Sequence, residues 1–124
     1  MQQREIKFRV WDKTTNTLNY DSGLMINFGQ KIATVYLEKE EYLYNADRSF
    51  DEIILSQYTG LKDCEGKEIY EGDIVQLPHL DFREVKWNTV ELGWDPFINQ
   101  IFHESSIKMW KIITNIYENP DLLK

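Results

Sequence analysis

The sequence predicts a mainly β protein built from short antiparallel strands. Three observations carry that expectation. First, Glu5 to Trp11 alternates with a period of two, setting Ile6, Phe8 and Val10 against Lys7, Arg9 and Trp11, as a half-buried strand requires. Second, Ser56 to Val75 (SQYTGLKDCEGKEIYEGDIV) packs an apolar segment, a polar glycine turn, a second apolar segment and a second glycine turn into twenty residues. Third, segments rich in β-branched and aromatic residues recur at intervals of roughly ten residues, the rhythm of a sandwich or barrel. Seven Tyr, six Phe and four Trp in 124 residues favour the same class.

From the N-terminus, Asp12 to Asn16 reads as a turn and Thr17 to Tyr20 as the return strand of a hairpin. Trp11, on the polar face of the first strand, either covers a second sheet or stays exposed as a contact. Asp21 to Gln30 reads as a loop holding a short strand at Leu24 to Phe28, and Lys31 to Leu37 as another strand. Glu38 to Glu41 is a solvated charged turn, Tyr42 to Tyr44 a short strand, and Asn45 to Phe50 a polar turn with Asp47 and Ser49 as cap candidates.

Ile53 to Tyr58 is the next strand. In the loop Lys62 to Lys67, Asp63 can bond its own downstream backbone and Gly66 can take positive φ, so a hairpin follows. Glu71-Gly72-Asp73 reverses the chain again before the strand Ile74 to Leu77, which Pro78 ends for want of an N–H. Phe82 to Trp87 alternates, with Val85 and Trp87 toward the core. Asn88 to Asn99 reads as a turn or wide loop, Ile98 to His103 as a short strand, and Lys108 to Tyr117 as the strand that closes the sheet. Asn119 and Pro120 suit an N-cap and first position of a terminal turn whose leucines dock back.

At 124 residues the chain is one domain long, and a core needs neither disulfide nor metal at this length. The lone Cys64 excludes an internal disulfide and a thiolate zinc cluster, so a reducing cytoplasm is the expected compartment. No stretch approaches the roughly 20 apolar residues that span a bilayer, and no signal-peptide pattern opens the chain. A net charge of −7 argues against a general phosphate-backbone binder while leaving room for a local basic patch. Should there be two lobes, 1–45 and 50–124, the hinge lies between Glu38 and Phe50.

Candidate chemistry is sparse. His79 lies two residues from Asp81, and His103 beside Glu104, but no third ligand sits at a recognisable spacing, and both read as surface histidines. Cys64 is flanked by Asp63 and Glu65, the wrong charges to activate a thiolate. Asp63, Glu65 and Glu68 lack the twelve-residue calcium-loop pattern. Gly60, Gly66 and Gly72 have neither a GK[ST] ending nor a helix start, so they read as turn glycines rather than a phosphate cradle. No catalytic residue, metal site or cofactor is expected. What remains is aromatic: Tyr58, Tyr70, Trp87 and Trp94, from strands and loops that would rim a small barrel, are the candidate binding residues, with core packing as the alternative role for each.

Three segments resemble the YopX family of tailed-phage and prophage proteins: Gln57 to Val75 (QYTGLKD, then EGKEIYEGDIV), the opening Arg4 to Asp12 (REIKFRVWD) and the closing Asn115 to Leu123 (NIYENPDLL). Cys64 and Thr114 depart from the family pattern, which suggests Lys or Asn at the first and Gly at the second. The resemblance implies N-terminal antiparallel strands packed on a C-terminal SH3-like small barrel that begins at the central segment. It assigns no catalytic residue. The resulting expectation is a non-enzymatic phage or prophage accessory protein of the bacterial cytoplasm that binds a host or phage protein. The alternative is a nucleic-acid-binding module using Arg83, Lys86, Lys108 and Lys111 as a local basic strip on neighbouring strands. Homo-oligomerisation stays open, since small β domains cover exposed edges with a second copy.

Overall fold

The computed structural model describes residues 5–20, 23–98 and 109–123. Among them the regular structure is antiparallel strand, with a 3-10 turn at Phe50–Glu52. The chain divides into two compact units, Lys7–Gln57 and Tyr58–Lys124 together with Met1–Ile6. The division falls at Gln57–Tyr58, inside one strand.

In the unit Lys7–Gln57, β1 (Phe8–Asp12) pairs with β2 (Thr17–Asn19) on one side and with β6 (Ile53–Lys62) on the other. The remaining strands form a second sheet in the order β3 (Met25–Asn27), β4 (Ile32–Lys39), β5 (Tyr42–Ser49). Val10, Ala33, Val35, Leu37 and Ile53 form the core, with Leu24, Ile26, Ala46, Phe50 and Leu55 against it. Each fully buried aliphatic side chain contributes on the order of 2 kcal/mol.

The alternation of β1 foretells the burial of Val10, but Ile6, expected on the same face, is exposed, and the polar face is buried as well. Trp11 is buried, as a covering role requires, and so is Arg9; Asp12, on the face of Val10, is enclosed too, and each charged group finds polar company. The Arg9 guanidinium donates to the Tyr20 hydroxyl at 3.3 Å, and Asp12 accepts from Arg48 Nε at 3.1 Å. Asn45 to Ser49 is strand, not turn: β5 runs the full eight residues beside β4, and the helical turn follows at Phe50–Glu52. There the Glu52 carboxylate accepts from both the Ser49 amide, at 3.3 Å, and its hydroxyl, at 3.1 Å.

In the other unit, β6 continues into a pairing with β7 (Glu68–Tyr70). β8 (Asp73–Gln76) is the centre of a three-stranded sheet ordered β12-β8-β9, with β9 at Phe82–Glu84 and β12 at Lys111–Asn115. The two expected glycine turns are present, with Gly66 at φ +82° and Gly72 at φ +90°. The core is Ile69, Val75, Val85, Phe97 and Trp110, with the Phe97 and Trp110 rings edge to face at 5.7 Å.

Two expectations are corrected in this unit. Phe82 to Trp87 is not one strand: Val85 turns inward, exchanging hydrogen bonds with Asp73 O and Gly72 N at 2.8 Å each. The chain is thereby re-aimed, and Lys86–Asn88 becomes β10, paired with β11 at Gly93–Asp95. Asn88 to Asp95 is therefore a hairpin turn, the narrower of the two expected forms, and Trp87 is exposed rather than turned to the core. Asn88 explains the turn, because its Oδ1 accepts from the amides of Val90 and Glu91 at 2.9 Å each. The expected strand at Ile98 to His103 lies, beyond Ile98, outside the described residues.

At the C-terminus a turn follows β12 as expected, but Asn119 does not cap it: its amide donates to the Thr114 hydroxyl at 2.6 Å. Asn115 does the local work instead, accepting from the amides of Tyr117 and Glu118 at 3.1 and 2.9 Å. Leu122 and Leu123 remain partly exposed rather than docked.

Candidate functional site

The four candidate aromatics separate into two cross-strand pairs with different fates. Tyr58 and Tyr70 stand opposite each other on β6 and β7, with ring centroids 5.5 Å apart. They are 5% and 3% exposed, so they act in packing and offer no rim. Burial follows from position: both lie on the strands that frame the central hairpin, where an aromatic ring gains most by leaving water.

Trp87 and Trp94 are the second pair, opposed on β10 and β11 with ring centroids at 5.0 Å and planes at 75°. Trp94 leans on the core of its unit, whereas Trp87 is 43% exposed. The turn that joins their strands adds Val90 and Leu92, both exposed. Asn88 Nδ2 donates to Asp95 Oδ2 at 3.1 Å and ties the base of the hairpin. The result is an indole held edge to face against a partly buried one, with two aliphatic side chains close by in sequence. Such a surface can bury apolar groups of a partner and stack against a planar one. Val90 and Leu92 were not singled out in the sequence; the signal was Asn88, whose side chain marks a tight turn.

The proposed basic strip is not assembled by the described strands. Arg83 lies on β9 and Lys111 on β12, with β8 between them. Arg83 stands opposite Val75, whereas Lys111 stands opposite the adjacent Gln76, so the register aims them to opposite faces of the sheet. Lys111 is moreover engaged with Glu65 at 3.2 Å. Lys108 and His103 lie outside the described residues. His79 occupies a turn with φ +66°, and among the described residues no three His, Cys, Asp or Glu side chains group as a metal site would need.

Of the three buried carboxylates among the described residues, Asp12, Asp63 and Asp73, two tie together parts of the chain far apart in sequence. Asp63 Oδ1 accepts from the amides of Glu65 and Lys67 at 2.9 Å each, as the loop pattern foretold. Its Oδ2 also accepts from the Ile112 amide at 3.0 Å, a link across 49 residues. Beside it, the exposed Cys64 donates its amide to Trp110 O at 2.8 Å. Asp12 is the other carboxylate. Burial alone would push its carboxyl up. Hydrogen bonds from the Thr15 hydroxyl, Arg48 and the Thr14 amide, with the Arg48 charge, outweigh burial and hold it below the usual carboxylate value.

The YopX protein family model matches residues 7–124. The chain belongs to the YopX family. No curated protein matches it. Among solved structures, the YopX chain is similar to protein EF1440 from Enterococcus faecalis, known from a crystal structure, with a TM-score of 0.67 and 23% sequence identity. That likeness covers 98% of this chain and 100% of the other, and at this identity it speaks for the fold alone. Among the described residues no helix is long and apolar enough to cross a membrane.

Proposed function

We propose that this YopX-family chain is a non-enzymatic phage or prophage accessory protein that binds a host or phage protein in the bacterial cytoplasm. Its C-terminal unit serves as SH3-like barrels do, through an aromatic face, here the β10–β11 hairpin. The observation that carries the reading is Trp87. A large indole left 43% exposed, braced by Trp94 and accompanied by exposed Val90 and Leu92, forgoes burial that its neighbours obtain. Exposed aromatics of this kind supply much of the affinity at protein interfaces.

The test is affinity capture of the tagged protein from bacterial host lysate, run in parallel with Trp87→Ser. Trp87→Ser leaves folding intact, because the side chain is half in solvent already. A partner retained by the wild type and lost with Trp87→Ser supports the reading. A partner retained equally by both, or no partner above background, overturns the role of this face.

A further inference from the structure

We propose a second interaction surface, independent of the Trp87 face: the outer edge of β5 accepts an extended peptide strand whose side chains alternate between basic and aliphatic. Among the described residues β5 pairs with β4 alone, and it ends the order β3-β4-β5. The direction of its backbone groups follows from one hydrogen bond and the register. Phe50 N donates to Lys31 O at 3.1 Å, continuing the β4–β5 register one step beyond Ile32 and Ser49. In an antiparallel ladder, inward-bonded residues alternate with outward-pointing ones. Arg48, Ala46, Tyr44 and Tyr42 therefore bond β4, while Ser49, Asp47, Asn45 and Leu43 point their N–H and C=O groups away from it. The Ser49 amide confirms the phase, because it is met from outside by the Glu52 carboxylate at 3.3 Å. Leu43 to Asp47 is the stretch of edge left open, save that the Asp47 carbonyl accepts from the Arg48 guanidinium at 3.4 Å.

Natural sheets blunt such edges with lysine, proline or bulges. Tyr42–Ser49 (YLYNADRS) contains no lysine and no proline, and its eight-residue register is unbroken. The edge also has two chemically different faces. Leu43, Asn45 and Asp47 share one face with their cross-strand partners Glu38, Tyr36 and Thr34, so that face carries Glu38 and Asp47. Tyr42, Tyr44 and Ala46 share the opposite face, where Tyr42 is 74% exposed. An added strand with Lys or Arg on the first face and aliphatic side chains on the second matches both, and main-chain hydrogen bonds supply the rest.

A second copy of this chain fits less well. Pairing β5 with itself antiparallel, in the register that sets Asn45 opposite Asn45, places Glu40 and Glu41 of one copy beside Ser49 and Phe50 of the other. Of the two neighbouring permitted registers, one places Glu41 beside Asp47 and Glu40 beside Arg48, and the other places Glu40 and Glu41 beside Glu52 and Asp51, carboxylate against carboxylate.

The probe is the synthetic nonapeptide (Lys-Val)4-Lys, compared by fluorescence anisotropy with (Lys-Pro)4-Lys, which has equal charge but cannot join a ladder. Amide hydrogen exchange of β5 is followed by NMR in the same samples. The expected result is at least tenfold tighter binding of the Val peptide, with exchange at Asn45 and Asp47 slowed at least tenfold. Asn45→Pro removes an outward N–H while sparing the inward ladder, and should weaken binding at least tenfold. Asp47→Lys, which leaves the backbone as it is, should weaken it severalfold and keeps the test decisive should the proline variant lose its fold. Equal binding of the two peptides, unchanged exchange in β5, or indifference to both substitutions would overturn the proposal. So would sedimentation showing a dimer that Asn45→Pro dissolves, since a second copy would then occupy the edge.

Discussion

Replacing Asp63 by Asn changes little in volume and removes one charge, yet it should cost more stability than any surface substitution in its neighbourhood. The wild-type carboxylate is buried and receives three backbone amides, those of Glu65, Lys67 and Ile112, at 2.9 to 3.0 Å. Asn keeps one oxygen for the first two bonds but turns an NH2 toward the third amide, donor against donor. Losing one charge-assisted bond costs about 1.5–3 kcal/mol, and weakening the other two to neutral bonds adds about 0.5 kcal/mol each. The sum is about 3 kcal/mol for Asp63→Asn.

The assay is urea unfolding followed by tryptophan fluorescence; Trp87, Trp94 and Trp110 lie in the unit that holds Asp63, and Trp11 in the other. With a slope of about 1.5 kcal/mol/M, a loss of about 3 kcal/mol moves the midpoint down by about 2 M. Glu65→Ala is the control. It removes exposed ion pairs to Lys111 and Lys67, at 3.2 and 3.7 Å, and should cost less than about 0.5 kcal/mol. Asp63→Asn within about 0.5 kcal/mol of wild type would refute the reasoning, as would a control just as costly.

Two further substitutions probe other parts of the account. Arg48→Met removes the guanidinium from Asp12 and should destabilise by about 2–3 kcal/mol at pH 7, below the usual cost of breaking a fully buried pair because Thr14 and Thr15 still serve the carboxylate. Because Asp12 titrates below its ordinary value when folded, the pair's stabilisation is present above about pH 4 and is lost as pH falls through the lowered value. The difference between wild type and variant should therefore shrink between pH 7 and pH 3 in urea titrations, and a constant difference would contradict the assignment. Gly72→Ala should cost at least about 1 kcal/mol more than Gly66→Ala by the same method. Both glycines have positive φ, costing roughly 1–2 kcal/mol for a side chain, but a Cβ at Gly72 would meet the Tyr117 hydroxyl at 2.6 Å whereas at Gly66 it meets nothing within 4 Å.

Where the sequence was legible, the causes were local. The Asp63 loop and the glycines at 66 and 72 depend on neighbours a few residues away, and they read correctly. The misreadings arose where distant residues decide. Arg9 looked like a solvent-facing position because nothing nearby in sequence shows that Tyr20 will receive the guanidinium. Asn45 to Ser49 looked like a turn because polar residues also fit an edge strand exposed to water, the very property that makes β5 an acceptor. Of the candidate aromatics, Trp87 is half-exposed although the alternation of Phe82 to Trp87 set it toward the core, whereas Tyr58 and Tyr70 are buried, because ring size alone does not tell a core residue from a rim residue.

The most direct test of the interaction-module reading against its nucleic-acid rival is a fluorescence-anisotropy titration of single- and double-stranded oligonucleotides with the purified protein at low and moderate salt. The account predicts no binding at either salt concentration, consistent with the net charge of −7 and with Arg83 and Lys111 on opposite faces. Oligonucleotide binding that is strong at low salt and falls steeply as salt rises would contradict it.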